Sequence, residues 1–115
     1  MSEEEANDAK ETLNAMAKAF VDDENSLHIA GSNDGIGALV TLLRRNPHPV
    51  VVTLCLTLLD KLCRISRENC DKFHIFGLGP NGLCTVMRDR ADDEKLQIAA
   101  FKCARACSCL SLIHI

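Results

Sequence analysis

The feature that most restricts the fold of this chain is an internal correspondence between its two halves. "HIAG" at 28–31 returns as "HIFG" at 74–77, and "GALVTLL" at 37–43 aligns with "NGLCTVM" at 81–87. Leu39 thus pairs with Leu83 and Thr41 with Thr85, at an offset of 44 residues. With one residue added in the connecting loop, "VVVTLCLTLLDKLC" lies over "EKLQIAAFKCARACS", matching Val51 to Leu96, Cys55 to Ala100, Leu56 to Phe101 and Leu59 to Ala104. The copies decide each other's secondary structure. Taken alone, the β-branched run Val50, Val51 and Val52 suits a strand. Its counterpart is rich in Ala, Lys, Gln and Arg, strong helix formers, so both segments are expected to be helical. Pro49 fits a first helical turn, where its missing N–H costs nothing. Asp92, Asp93 and Glu94 supply a cap and favourable negative charge at the corresponding start.

Ahead of the paired segments, residues 4–21 place Ala6, Ala9, Leu13, Met16, Ala17 and Phe20 at steps of three and four, one apolar stripe on an Ala-rich helix. Each later unit then reads as a short helix, a Gly turn, a middle helix, a polar loop and a long third helix. A period of 44 falls within the range of about 40 to 47 residues typical of armadillo and HEAT units. "DGIGALVTLLRRNPHPVVVTLCLTLLDKLC" resembles the armadillo-repeat family: a Gly, an apolar pair, "LV-x-LL", a polar loop with Pro, then a long helix with a small residue, Cys55, four before Leu59. The resemblance implies an all-α, right-handed α-solenoid of about two repeats. Residues 1–24 would close an earlier repeat, 25–65 and 66–109 would each form one, and the array would be incomplete. Fewer than about three stacked units rarely hide enough apolar surface, so such a piece is expected to be marginal or self-associating. The last six letters, "LSLIHI" at 110–115, are an in-frame translation of CTG TCT CTT ATA CAC ATC, which resembles a transposase mosaic-end sequencing adapter, and they are left out of fold reasoning.

In that family the third helices line a concave groove that binds extended peptides. By resemblance, Thr53, Thr57, Lys61 and Arg64 in the first unit and Lys102 and Arg105 in the second would face the partner. Members that read basic peptides carry Trp and Asn where Thr57 and Lys61 stand here, so a groove bearing Lys and Arg would suit an acidic protein or peptide instead. The function implied is a non-enzymatic protein-binding scaffold. Its rivals are a structural segment with no ligand of its own and a cysteine-ligated metal module.

Composition narrows the alternatives. The chain carries a net charge of −3, with no Trp or Tyr and only four Phe, which gives no drive toward nucleic acid or anionic membrane and little means of stacking on bases. No stretch reaches the eighteen or so apolar residues that span a bilayer, and the polar, acidic start is unlike a secretory signal. The expected location is the cytoplasm, or the nucleus. Seven cysteines is an odd count, and most sit within apolar helical patterns, as small buried side chains do in a reducing compartment.

The formal motifs are weak. Gly77, Gly79 and Gly82 in "GLGPNG" satisfy G-x-G-x-x-G, but the preceding "ENCDKFHIF" is too polar for the buried strand a dinucleotide site requires, so a turn between helices is expected. Cys103, Cys107 and Cys109 share a helical region without the paired C-x-x-C spacing of zinc sites. His28 and His74 occupy comparable places in the two units, which favours a structural role. No spacing pairs a Cys or Ser nucleophile with a base, so no enzyme, no cofactor, no metal and no small-molecule substrate are expected.

Overall fold

The computed structural model describes all residues except 1, 2, 33, 46, 47, 76–79 and 113–115, and all side chains within that set except those of 24, 80, 81 and 107–112. The described residues form seven helices: α1 (Glu3–Asp22), α2 (Glu24–Ser32), α3 (Gly35–Arg45), α4 (Pro49–Ile65), α5 (Arg67–Ile75), α6 (Pro80–Asp89) and α7 (Glu94–Leu112).

Each helix follows from its local sequence. α1 opens on Glu3, Glu4 and Glu5, whose charges favour the positive end of the helix dipole, and buries Ala6, Leu13 and Phe20. Those three recur every seven residues, two turns apart, and make one narrow seam. α4 opens with Pro49 in its first turn and is helical throughout its β-branched start. α7 begins where Asp93 Oδ1 accepts the Leu96 N–H at 3.1 Å, and α2 where Asp23 Oδ1 accepts the Asn25 N–H at 3.0 Å.

α4 is the central element. Val51, Val52, Cys55, Leu56, Leu58, Leu59, Leu62 and Cys63 are all buried, on an arc of about 160° of the helix, while Thr53, Thr57, Lys61 and Arg64 share the other side. An amphipathic surface helix buries a stripe of about 100°; the buried face of α4 is broader because α1, α2, α3, α5 and α7 all pack on it, α7 most extensively. At about 1.5 to 3 kcal/mol for each fully buried aliphatic side chain, this helix organises the apolar core.

This packing overturns the expected right-handed α-solenoid. A row of stacked repeats keeps an open, extended outline. Here α1 packs on α4, α3 on α5, and both α4 and α5 on α7. The radius of gyration is 13.3 Å, close to the value of about 13 Å expected for a globule of this length. The chain is an all-α globule, not an open row of armadillo repeats. Without an open array, the extended concave surface expected of it is absent as well. The reason is that α4 carries a broad apolar face, on which α1, α2, α3, α5 and α7 all gather.

Helix ends are secured by side chains from elements that come later in the chain. Carbonyls in the last turn of a helix lack intrahelical donors and need partners. Ser26 Oγ donates to the Ala19 carbonyl of α1 at 2.9 Å. Asn69 Nδ2 donates to the Leu62 carbonyl of α4 at 2.8 Å, and Cys70 Sγ to that of Cys63 at 3.3 Å. Lys72 Nζ reaches back to the Gly31 carbonyl of α2 at 2.8 Å, and Gln97 Nε2 to that of Met87 in α6 at 2.7 Å. Four of these five bonds reach across a single turn, whereas the one from Lys72 to Gly31 joins residues 41 apart, so the corners are legible from local sequence only in part.

Burial also sets a pH dependence. Desolvation pushes the Cys55 thiol up from its ordinary 9.0 to about 12. Above pH 9 the unfolded chain gives up this proton while the folded chain keeps it, so unfolding is increasingly favoured as pH rises. The contribution is complete below pH 9 and is lost progressively toward pH 12, with a limiting slope of about 1.4 kcal/mol per pH unit. Urea melts between these limits are expected to show Cys55→Ala losing stability less steeply than the parent chain. Equal slopes would show that Cys55 is not sealed from water.

Candidate functional site

A cleft runs between α4 and α7. Thr53, Thr57, Asp60, Lys61 and Arg64 line it from α4, and Lys95, Ile98, Ala99 and Lys102 from α7. Its volume is about 400 Å³, within the usual range for ligand clefts. Helical spacing builds it: positions 53, 57, 60, 61 and 64 recur every three or four residues along α4, and 95, 98, 99 and 102 do so along α7.

Four cations surround one carboxylate. Asp60 is buried, and its Oδ1 accepts from Arg64 Nε at 3.0 Å, one turn away on the same helix. Arg64 is half exposed, so this pair holds the guanidinium at the rim without neutralising the cleft as a whole. Lys61, Lys95 and Lys102 have no ion pair or hydrogen bond among the described residues. Thr53 and Thr57 have committed their hydroxyl protons to the carbonyls of Pro49, at 2.8 Å, and Thr53, at 2.9 Å. Their oxygens can accept but no longer donate. Recognition of an anion therefore falls to the lysines, with Arg64 in support.

Of the residues read from the sequence, Thr53, Thr57, Lys61, Arg64 and Lys102 line this one cleft, while Arg105 is exposed on α7 outside its lining. Sequence reasoning missed Asp60, Lys95, Ile98 and Ala99. A signal was present for two of them: Lys95 stands seven residues before Lys102, on the same helical face, and Asp60 stands four before Arg64, the spacing of a helical ion pair.

The remaining candidates do not assemble into chemistry. Cys103 is buried, and the side chains of Cys107 and Cys109 lie outside those described. Among the described residues no three His, Cys, Asp or Glu side chains are grouped to hold a metal ion. Gly77 and Gly79 lie outside the described residues, and Gly82 is inside α6. His28 borders a small polar hollow with Asn69 and Lys72, and the His74 ring meets Phe73 edge-on at 6.4 Å. None of the described helices is long and apolar enough to cross a membrane.

The resemblance to armadillo repeats has no support from comparison with known proteins either. No family model matches this chain, and no curated protein or solved structure matches it.

Proposed function

We propose that this helical domain, without catalytic chemistry of its own, binds a carboxylate-rich segment of another protein in the cleft between α4 and α7. The observation that carries the reading is the placement of Lys61, Lys95 and Lys102 around one cleft with no anionic partner among the described residues, on a chain whose net charge is −3. An overall negative protein that gathers unpartnered cations in one place sets up a local field suited to an anion. The single carboxylate in the lining is already engaged by Arg64. Cys55 does not argue for covalent chemistry, since desolvation holds its thiol in the neutral form.

Fluorescence anisotropy with a labelled Glu-rich peptide tests the reading. Binding is expected at low ionic strength and is expected to weaken as salt approaches about 0.15 M, where the screening length falls to about 8 Å. Reversing both Lys61→Glu and Lys102→Glu is expected to weaken binding by about tenfold or more, since like charges then face the ligand. Both side chains lie at the surface of the cleft, so circular dichroism and urea melts should stay close to those of the parent. A chain that ignores the peptide, or a reversed chain that binds it equally well, would leave the cleft a passive seam between packed helices.

A further inference from the structure

α7 continues outward from the cleft with a mixed apolar and basic face. Ile98 is 49% exposed and Phe101 61% exposed, both unusually open for large apolar side chains. Lys95, Lys102 and Arg105 are exposed on the same helix. At 100° per residue, positions 95, 102, 98, 105 and 101 follow one another around an arc of about 120°, with Ile98 between cations and Phe101 at the end beside Arg105. The opposite side of α7 buries Leu96, Ala99, Ala100, Cys103 and Ala106 against the globule.

We infer that the acidic segment taken by the α4–α7 cleft is amphipathic, a helix-forming stretch in which large apolar residues alternate with carboxylates, and that Phe101 is its apolar anchor. The inference rests on the function proposed above and narrows its ligand. Charge complementarity selects the occupant: a partner covering Ile98 and Phe101 lies over Arg105, which falls between them on the arc, and beside Lys102 and Lys95, so its apolar groups are best flanked by negative charge. A broad anionic membrane fits less well. At the start of α7 a surface hollow is bordered by Asp89, Asp92, Asp93 and Glu94, with Arg90 and Lys95 as the accompanying cations. That acidic excess repels a flat anionic sheet laid across the helix, whereas a narrow peptide avoids it. Aromatic anchors flanked by charged rims are the usual energetic centres of such contacts.

The test uses the full chain and two labelled peptides of equal length and net charge. One is Glu-rich with Leu at three- and four-residue spacing; the other has Ser in place of every Leu. The Leu-bearing peptide is expected to bind about tenfold tighter, the effect of seating one apolar anchor. Phe101→Ser is expected to abolish that advantage while leaving the affinity for the Ser-bearing peptide unchanged; because Phe101 is exposed, the fold tolerates the change. Equal binding of the two peptides by the parent chain would overturn the inference, as would an advantage that survives Phe101→Ser. Co-sedimentation with vesicles of phosphatidylserine and phosphatidylcholine, without peptide preference, would also overturn it in favour of a lipid surface. If the two peptides bind equally and the lysine reversal weakens both, the proposed function stands while the amphipathic inference falls. If neither peptide binds, both fall.

Discussion

Phe73→Ala is expected to lower the free energy of unfolding by about 3 to 5 kcal/mol, the usual cost of emptying a large buried aromatic site. Phe73 is fully buried, and its helix, α5, packs on α3, α4 and α7 at once. A wall made by three other helices cannot collapse into the space by moving one of them, so the cavity is expected to persist and the cost to lie toward the upper end of that range. For a domain whose total stability is about 5 to 15 kcal/mol, such a loss removes a large share of the folded population. In urea the midpoint should fall while the dependence on denaturant stays unchanged, as expected when stability alone is altered. Ile75→Ala provides the comparison: it lies on the same helix, is 79% exposed, and is expected to change stability by only about 0.5 kcal/mol. Similar losses for the two variants would place α5 in a different orientation from the one described.

The contrast between Phe73 and Phe101 shows what the sequence revealed and where it fell short. The helices were legible because period and propensity are local: α4 is a helix over the β-branched run at 50–52, and the cap at Asp93 forms where the acidic cluster predicted one. Burial was legible only while the two halves had equivalent surroundings. Val51 and Leu96, and Cys55 and Ala100, are each fully buried as their correspondence suggests. Leu56 and Phe101 are also counterparts, yet Leu56 is fully buried and Phe101 is 61% exposed. The difference lies in the neighbours, since five helices pack on the broad apolar face of α4 that includes Leu56, while the side of α7 that bears Phe101 faces solvent. Helical periodicity says which residues share a face, but not how many helices come to cover it. For the same reason a repeat in sequence did not translate into an open row of repeats in space. The cleft was partly readable because five of its residues recur at helical spacing on two helices; which neighbouring positions would complete it depended on how α4 and α7 were rotated against one another, a consequence of packing.

That dependence on packing is sharpest at the corner joining α2 to α5, where a double-mutant cycle is expected to show strong coupling. A Cβ added at Gly31 would lie 2.7 Å from Asn69 Oδ1 and 2.8 Å from Asn69 Nδ2. The amide cannot simply swing aside, because Asn69 is buried and its Nδ2 donates to the Leu62 carbonyl at 2.8 Å. Gly31→Ala alone should therefore cost about 1 to 3 kcal/mol of overpacking, reduced by the roughly 1 kcal/mol that Ala gains over Gly in a helix. Asn69→Ala alone loses the buried hydrogen bond at the end of α4, a cost of about 1 to 3 kcal/mol. In the double variant the Asn69 amide is gone and the methyl introduced at position 31 fills part of the vacated space, leaving the helix-forming advantage of Ala unopposed. The two changes together are expected to cost about 0.5 to 3 kcal/mol less than the sum of the singles, the range seen for residues in direct contact. Addition of the single effects to within about 0.5 kcal/mol would mean that Gly31 is not held against Asn69. Coupling of the expected sign would instead show that α2 needs glycine here because of a side chain 38 positions away, fixed in turn by the carbonyl end of α4.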